Sequence, residues 1–223
     1  MNARALYAPV HLAASSIIGE RCTLGYPKEE RLRAERQRPG SVPAGEPVMV
    51  GERCLVFNQV VLYEGVAVGE DCVIEDLVRV GYNSQVGPRT RLMYGAYICD
   101  RVVIGADARV AGFVCDGTRV GDRSAVMGEL VHEYTHPHQG WWEVDEEAPV
   151  IEADSVVGYG ARVVGGVRVG TRSYVAAGAV VTKPVPPEHV VTGINVQTPA
   201  AQWRGERLQD LIRYWRTSPS GRH

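Results

Sequence analysis

Aliphatic residues recur along this chain in steps of six. This is neither the strict alternation of a half-buried strand nor the spacing of an amphipathic helix. An aliphatic residue followed by Gly appears at Val50-Gly51, Val68-Gly69, Val80-Gly81, Val86-Gly87, Ile104-Gly105, Val120-Gly121, Val157-Gly158 and Val169-Gly170. In that register the row reads Val50, Val56, Leu62, Val68, Ile74, Val80, Val86, Leu92, Ile98, Ile104, Val110. Four residues after each lies a small or β-branched residue, among them Cys54, Val60, Cys72, Val78, Ser84, Thr90 and Ala96. The phase slips by two near Val114, resumes at Val120 and Val126, and breaks over 130–149. It then returns as Ile151, Val157, Val163, Val169, Val175 and Val181, and an earlier fragment stands at Ile18-Gly19 and Leu24-Gly25.

Such a period predicts short extended segments joined by tight corners, each coil stacking on the one before. The aliphatic row fills the interior, successive coils satisfy each other's backbone groups, and Gly is expected where corner dihedrals exclude other residues. A sandwich would require polar–apolar alternation with turn signals every 8–12 residues, and that pattern is absent. The predicted fold is an all-β parallel β-helix over residues 1–197. Two segments leave the repeat: a charged, Pro- and Gly-rich excursion at 27–47, with a helical turn around Glu30–Arg36, and a loop at 130–149. Residues 198–223 form a tail in which Trp203, Leu208, Leu211, Ile212 and Trp215 make the apolar stripe of a helix. That helix is expected to cover the end of the coil stack.

Composition narrows the function classes. Net charge is −2, with charges well mixed, so no footprint for nucleic acid or an anionic membrane surface stands out. No apolar run approaches the ~20 residues of a membrane span, and the first residues lack a signal-peptide layout. The five cysteines include no C-x-x-C pair, which argues against a disulfide framework or thiolate zinc site. Cys22, Cys54 and Cys72 fall on the small inward row and read as core filler. The expected location is the cytoplasm.

The run Ala176-Ala177-Gly178-Ala179-Val180-Val181-Thr182-Lys183, closing the repeat over 151–185, resembles the acyl-CoA segment of the left-handed β-helix (hexapeptide-repeat) acyltransferases. The resemblance implies a left-handed coil and a homotrimer with active sites between subunits. It also implies acetyl-CoA or another acyl-CoA as co-substrate, a small-molecule acceptor, a His general base and no metal. Carried over position by position, Tyr159 and Ala177 would meet the pantetheine arm. Gly160, Ala161 and Gly178 would allow its close approach, and Thr182 and Lys183 would sit near the phosphates. Pro184 stands where family members often have Asp, and Gly193-Ile194-Asn195-Val196 replaces their Gly-Asn-Pro-Ala. Independently of the resemblance, residues 151–183 hold Arg162, Arg168, Arg172 and Lys183 against two acidic groups, which suits a phosphate-bearing ligand.

The loop reads His132-Glu133-Tyr134-Thr135-His136-Pro137-His138-Gln139-Gly140-Trp141-Trp142-Glu143. Its H-E-x-x-H spacing matches a zinc protease, but that chemistry needs a helix, and Pro137 with flanking β-helix opposes one. A three-His metal centre, as in the γ-class carbonic anhydrases that share this fold, would place its histidines on separate coils. An acyltransferase needs one neutral imidazole to take the acceptor's proton. His132 is the first candidate because it stands where the loop leaves the coil, with Glu133 or Glu129 expected to set its tautomer; His136 and His138 are alternatives. Six carboxylates and no Lys or Arg lie between Glu129 and Glu147. Together with Tyr134, Trp141 and Trp142 they form a surface suited to a cationic amine or amino sugar. Asn58, at a corner, is a further candidate acceptor contact. A non-catalytic assembly protein is the remaining alternative.

Overall fold

A computed structural model of the chain describes residues 6–135, 146–205 and 209–217. It is a left-handed parallel β-helix with three sheets of eight, ten and eight strands. A regular turn of the coil advances eighteen residues, so Val50, Val68, Val86 and Ile104 lie side by side on the first sheet. The row continues through Val120, Ile151 and Val169, and the whole aliphatic set forms one buried cluster. At about 25 cal/mol per Å² of apolar surface removed from water, this interior is the main source of stability.

The glycines after the aliphatic row have a different role from the one expected. Left-handed backbone falls two residues later, on Arg53, Asp71, Asn83, Arg89, Asp107, Arg123, Gly160 and Arg172. Each costs roughly 1–2 kcal/mol for a residue with a side chain. The glycines are instead required by the close approach of successive coils. A Cβ at Gly69 would lie 2.7 Å from Pro88 N, and one at Gly121 would lie 2.5 Å from Ala153 N. The phase slip occurs twice, since Val110 to Val114 and Val126 to Leu130 are both four-residue steps between adjacent strands. The shortened corners stack, and only glycine fits them: a Cβ at Gly112 would approach Gly128 C to 2.7 Å.

Two further ladders run along the corner between the first and second sheets. Inside, Ser16, Cys54, Cys72, Thr90, Ser124, Ser155 and Ser173 each donate to a carbonyl of the next coil, at 2.7–3.2 Å. The buried cysteines therefore stand in for serine or threonine, and burial pushes the Cys72 thiol up to about 11. Outside, Arg53–Asp71, Arg89–Asp107, Arg123–Asp154 and Arg172–Glu188 alternate in sign along the stack. These guanidiniums are a quarter to a half exposed, so each pair contributes modestly.

The excursion holds a nine-residue helix, α1 (Glu29–Gln37). Arg31 pins it by an ion pair to the buried Glu64 and by donating to Leu6 O (3.0 Å) and Pro43 O (2.7 Å). The tail helix, α2 (Gln209–Thr217), buries Ile212 and Trp215 against Val190 and Ala200. Leu208 lies outside the described residues. The expectation that this helix covers the end of the stack is corrected. Val190 pairs with the outward Tyr174, whereas Val191 pairs with the inward Val175, so α2 lies on the outer side of the second sheet. Among the described residues no helix is long and apolar enough to cross a membrane.

Arginines hold Asp71, Asp107 and Glu152 below the ordinary carboxylate range, Arg53, Arg89 and Arg168 being the main causes. A carboxylate whose folded pKa is depressed stabilises the fold above its unfolded value, and that stability is lost as pH falls through the folded value. The denaturation midpoint should therefore hold steady from neutral pH down to about 5 and fall below about 4. Asp107→Asn should flatten the acid limb, measured by urea unfolding across that range.

Candidate active site

The loop leaves the coil after Val131, the last residue paired with the following coil (Val131 to Val164), and re-enters at Val150. Its two feet meet at His132. The ring Nδ1 of this half-buried residue lies 3.3 Å from the backbone carbonyl of Glu147. A carbonyl only accepts, so Nδ1 is the donor in this bond, and in the neutral ring Nε2 then carries the lone pair. The expectation that Glu133 or Glu129 sets this tautomer is corrected. Glu129 bonds Arg162 Nε at 2.7 Å, Glu133 is exposed, and the returning backbone takes that role. Tyr134, 47% exposed and with φ +57, donates its N–H to the Glu146 carboxylate at 2.8 Å. His136, His138, Trp141 and Trp142 lie outside the described residues.

The coenzyme candidates fall on two corners flanking the third sheet. Tyr159, Gly160, Ala177 and Gly178 are exposed on the corner before it. Gly160 and Gly178 have φ of +65 and +71, and a Cβ at either would meet nothing within 4 Å, so both expose backbone to open space. Ala161 is corrected. It is fully buried in the interior row, its N–H donates to Gly158 O, and its carbonyl accepts from Glu129, which leaves nothing for a ligand. Thr182 and Lys183 are exposed on the corner after the third sheet. Thr182 is tied to Asn195 by two bonds of 2.9 Å, one in each direction, which gives a purpose to the Asn of the altered Gly-Ile-Asn-Val ending. Register places Lys183 two coils along from His132 on the same corner, about 10 Å away at the usual strand spacing.

Asn58 is not part of this constellation. Its Oδ1 accepts from Glu20 N, and its backbone N–H and Nδ2 both donate to Asp76 Oδ1, so the amide joins three coils together. It stands five coils from Tyr159, about 24 Å. The thiols nearest the loop are poor nucleophiles, because burial pushes Cys99 up to about 12 and Cys115 up to about 11. On the same corner, burial and the neighbouring Asp116 raise Asp100, whose carboxylate accepts from Tyr82 N at 3.1 Å.

Sequence reasoning missed a stack on the outer side of the third sheet. Arg79 lies between the Tyr63 and Tyr97 rings, 4.4 and 4.6 Å from their centroids, and Phe113 stacks on Tyr97 at 5.5 Å. Tyr97 and Phe113 are 44% and 38% exposed and form an apolar shelf beside the coil from which the loop springs. Their sixteen-residue spacing at outward positions was the available signal, hidden by the shortened corner between them.

Comparisons with known proteins agree on the repeat. A family model described as the hexapeptide repeat of succinyl-transferase matches residues 47–75 and 150–183. The chain is similar to the bifunctional protein GlmU of Bordetella parapertussis (25% identical over 190 residues, 74% of this chain and 41% of that protein). It is also similar to GlmU of Burkholderia thailandensis (28% identical, 83% of this chain and 44% of that protein). The chain thus spans less than half the length of these curated relatives. Among solved structures, the UDP-N-acetylglucosamine acyltransferase of Francisella novicida shares the fold, with a TM-score of 0.55 and 16% identity over 95% of this chain and 78% of that one.

Because Asn58 serves the coils alone, Asn58→Ala should lower stability by about 1–3 kcal/mol, as expected when a bonded polar group is removed. Coenzyme A affinity, measured by calorimetry, should not change.

Proposed function

The chain is a hexapeptide-repeat β-helix protein, and from that premise we propose that it is an acyl-CoA-dependent acyltransferase. It moves an acetyl group from the coenzyme A thioester to an amine or hydroxyl of a small molecule, such as an amino sugar. The observation that carries this reading is the hydrogen bond between His132 Nδ1 and the Glu147 carbonyl, which in the neutral ring puts the lone pair on Nε2 at the rigid edge of the coil. As the acceptor attacks the thioester carbon, Nε2 takes its proton; collapse of the tetrahedral intermediate breaks the C–S bond, and the imidazolium returns the proton to the departing thiolate. Transfer is direct, in keeping with the raised Cys99 and Cys115 thiols.

The exposed backbone of Gly160 and Gly178 supports a pantetheine path along their corner, with Tyr159 and Ala177 beside it and Lys183 facing phosphate. Glu133, Glu146 and Glu147 at the loop feet favour the approach of a cationic amine, which gives up one proton to solvent before its nitrogen attacks and its next proton to His132. By resemblance to the family, the protein works as a cytoplasmic homotrimer, with each site completed by a neighbouring subunit.

The test is thiol release from acetyl-CoA across a panel of amines and amino sugars. His132→Ala should lower kcat by about 10²–10⁴-fold, the usual worth of a general base, while leaving coenzyme A affinity intact. Lys183→Ala should raise KM for the donor and spare kcat. Full activity in His132→Ala, or loss of activity on removing a bound metal, would overturn the reading.

A further inference from the structure

The two feet of the loop are joined to each other, and the returning foot rests on the coil that follows, beside the Glu147 carbonyl that meets His132. The outgoing foot donates Tyr134 N–H to the Glu146 carboxylate at 2.8 Å, one residue before that carbonyl. The returning foot rests on the next coil at Gly165-Gly166, a paired glycine in the column of His132 and Lys183. A Cβ at Gly166 would lie 2.7 Å from Glu147 Cβ and closer still to its carboxylate, while one at Gly165 would lie 3.5 Å from Glu133. The returning foot therefore has no room for a side chain beneath it, whereas Gly165 is restricted by its left-handed backbone, φ +72, rather than by space. Tyr134 adopts left-handed backbone, with φ +57, at the point where its N–H turns towards Glu146.

We propose that Glu146 and Gly166 are positioning residues that seat the Glu147 carbonyl on His132 Nδ1 and so hold the imidazole in its proton-accepting tautomer. An untethered imidazole carries its proton on either nitrogen. Only the Nδ1–H form offers Nε2 as a base, and a base held in the wrong tautomer loses most of its contribution. A carboxylate partner at Nδ1 would strengthen ion pairing as His132 charges; a backbone carbonyl fixes the same tautomer without adding a negative charge. The acidic groups of the loop feet thus remain available to other tasks, Glu146 to the Tyr134 N–H.

The inference rests on His132 being the base, so its test includes a readout independent of catalysis. Two-bond 1H–15N correlation spectra of the full chain, assigned by the signal missing in His132→Ala, report the His132 tautomer without substrate. The wild-type ring should be protonated at Nδ1. Gly166→Ala and Glu146→Ala should each release it to a mixture of tautomers and lower kcat by roughly tenfold or more, with KM for acetyl-CoA within about twofold. Glu146→Gln, whose amide oxygen still accepts from Tyr134, should keep the tautomer and recover most of the kcat lost in Glu146→Ala. An Nε2–H tautomer in the wild type, or an unaltered tautomer and kcat in both disruptive variants, overturns the proposal. Should Gly166→Ala fail to fold, Glu146→Ala decides alone. Activity persisting in His132→Ala would refute the base assignment, while the tautomer spectra would still decide the seat.

Discussion

The structure depends on one constraint: each coil must lie about 4.8 Å above the last, with every backbone group bonded across the gap. Everything periodic follows from it. The inward row is aliphatic because identical positions stack on each other. The residue after it is glycine wherever a Cβ would strike the backbone of the next coil. The small row places a hydroxyl or thiol against a carbonyl one coil away, and the outer corner alternates Arg with Asp. These ladders repeat because the coil repeats, and they add stability without requiring any side chain to be large.

The same constraint decides where chemistry can reside. Strand residues are committed to stacking, so a reactive group must stand at a corner or on a segment that leaves the coil. The chain leaves it at the corner after the third sheet both for α1 and for the histidine loop. The floor between those departures is formed by coils carrying Tyr82, Asp100 and Asp116, with the Tyr97–Phe113 shelf beside it. His132 stands at the foot of the loop, where the coil still holds the backbone through Val131 and Val164. A base there inherits the rigidity of the helix while facing solvent on its other side.

Parts of this site were open to sequence reasoning and parts were not. His132 could be singled out because it directly follows the last strand residue before the break. The choice of Glu133 or Glu129 as its partner failed because proximity along the chain does not say which group faces the ring. Glu129 points outward to Arg162 one coil on, and the partner arrives from Glu147, fifteen residues away. Asn58 failed for a related reason, since a corner amide that looks available in one coil is consumed by the coils on either side. Ala161 failed because the inward and outward rows alternate, and a motif read as a continuous string ignores that alternation.

The sequence by itself determined the coil, its length, the two departures from it and the corners that can carry function. A period of six is a local property, repeated until only one stacking satisfies it. Tertiary structure alone decided the steric purpose of the glycines, the stacking of the two shortened corners, the placement of α2 on an outer face and the group that meets His132 Nδ1. Each of these depends on atoms brought together from different coils, and no spacing along one strand records which atoms of the next coil lie opposite.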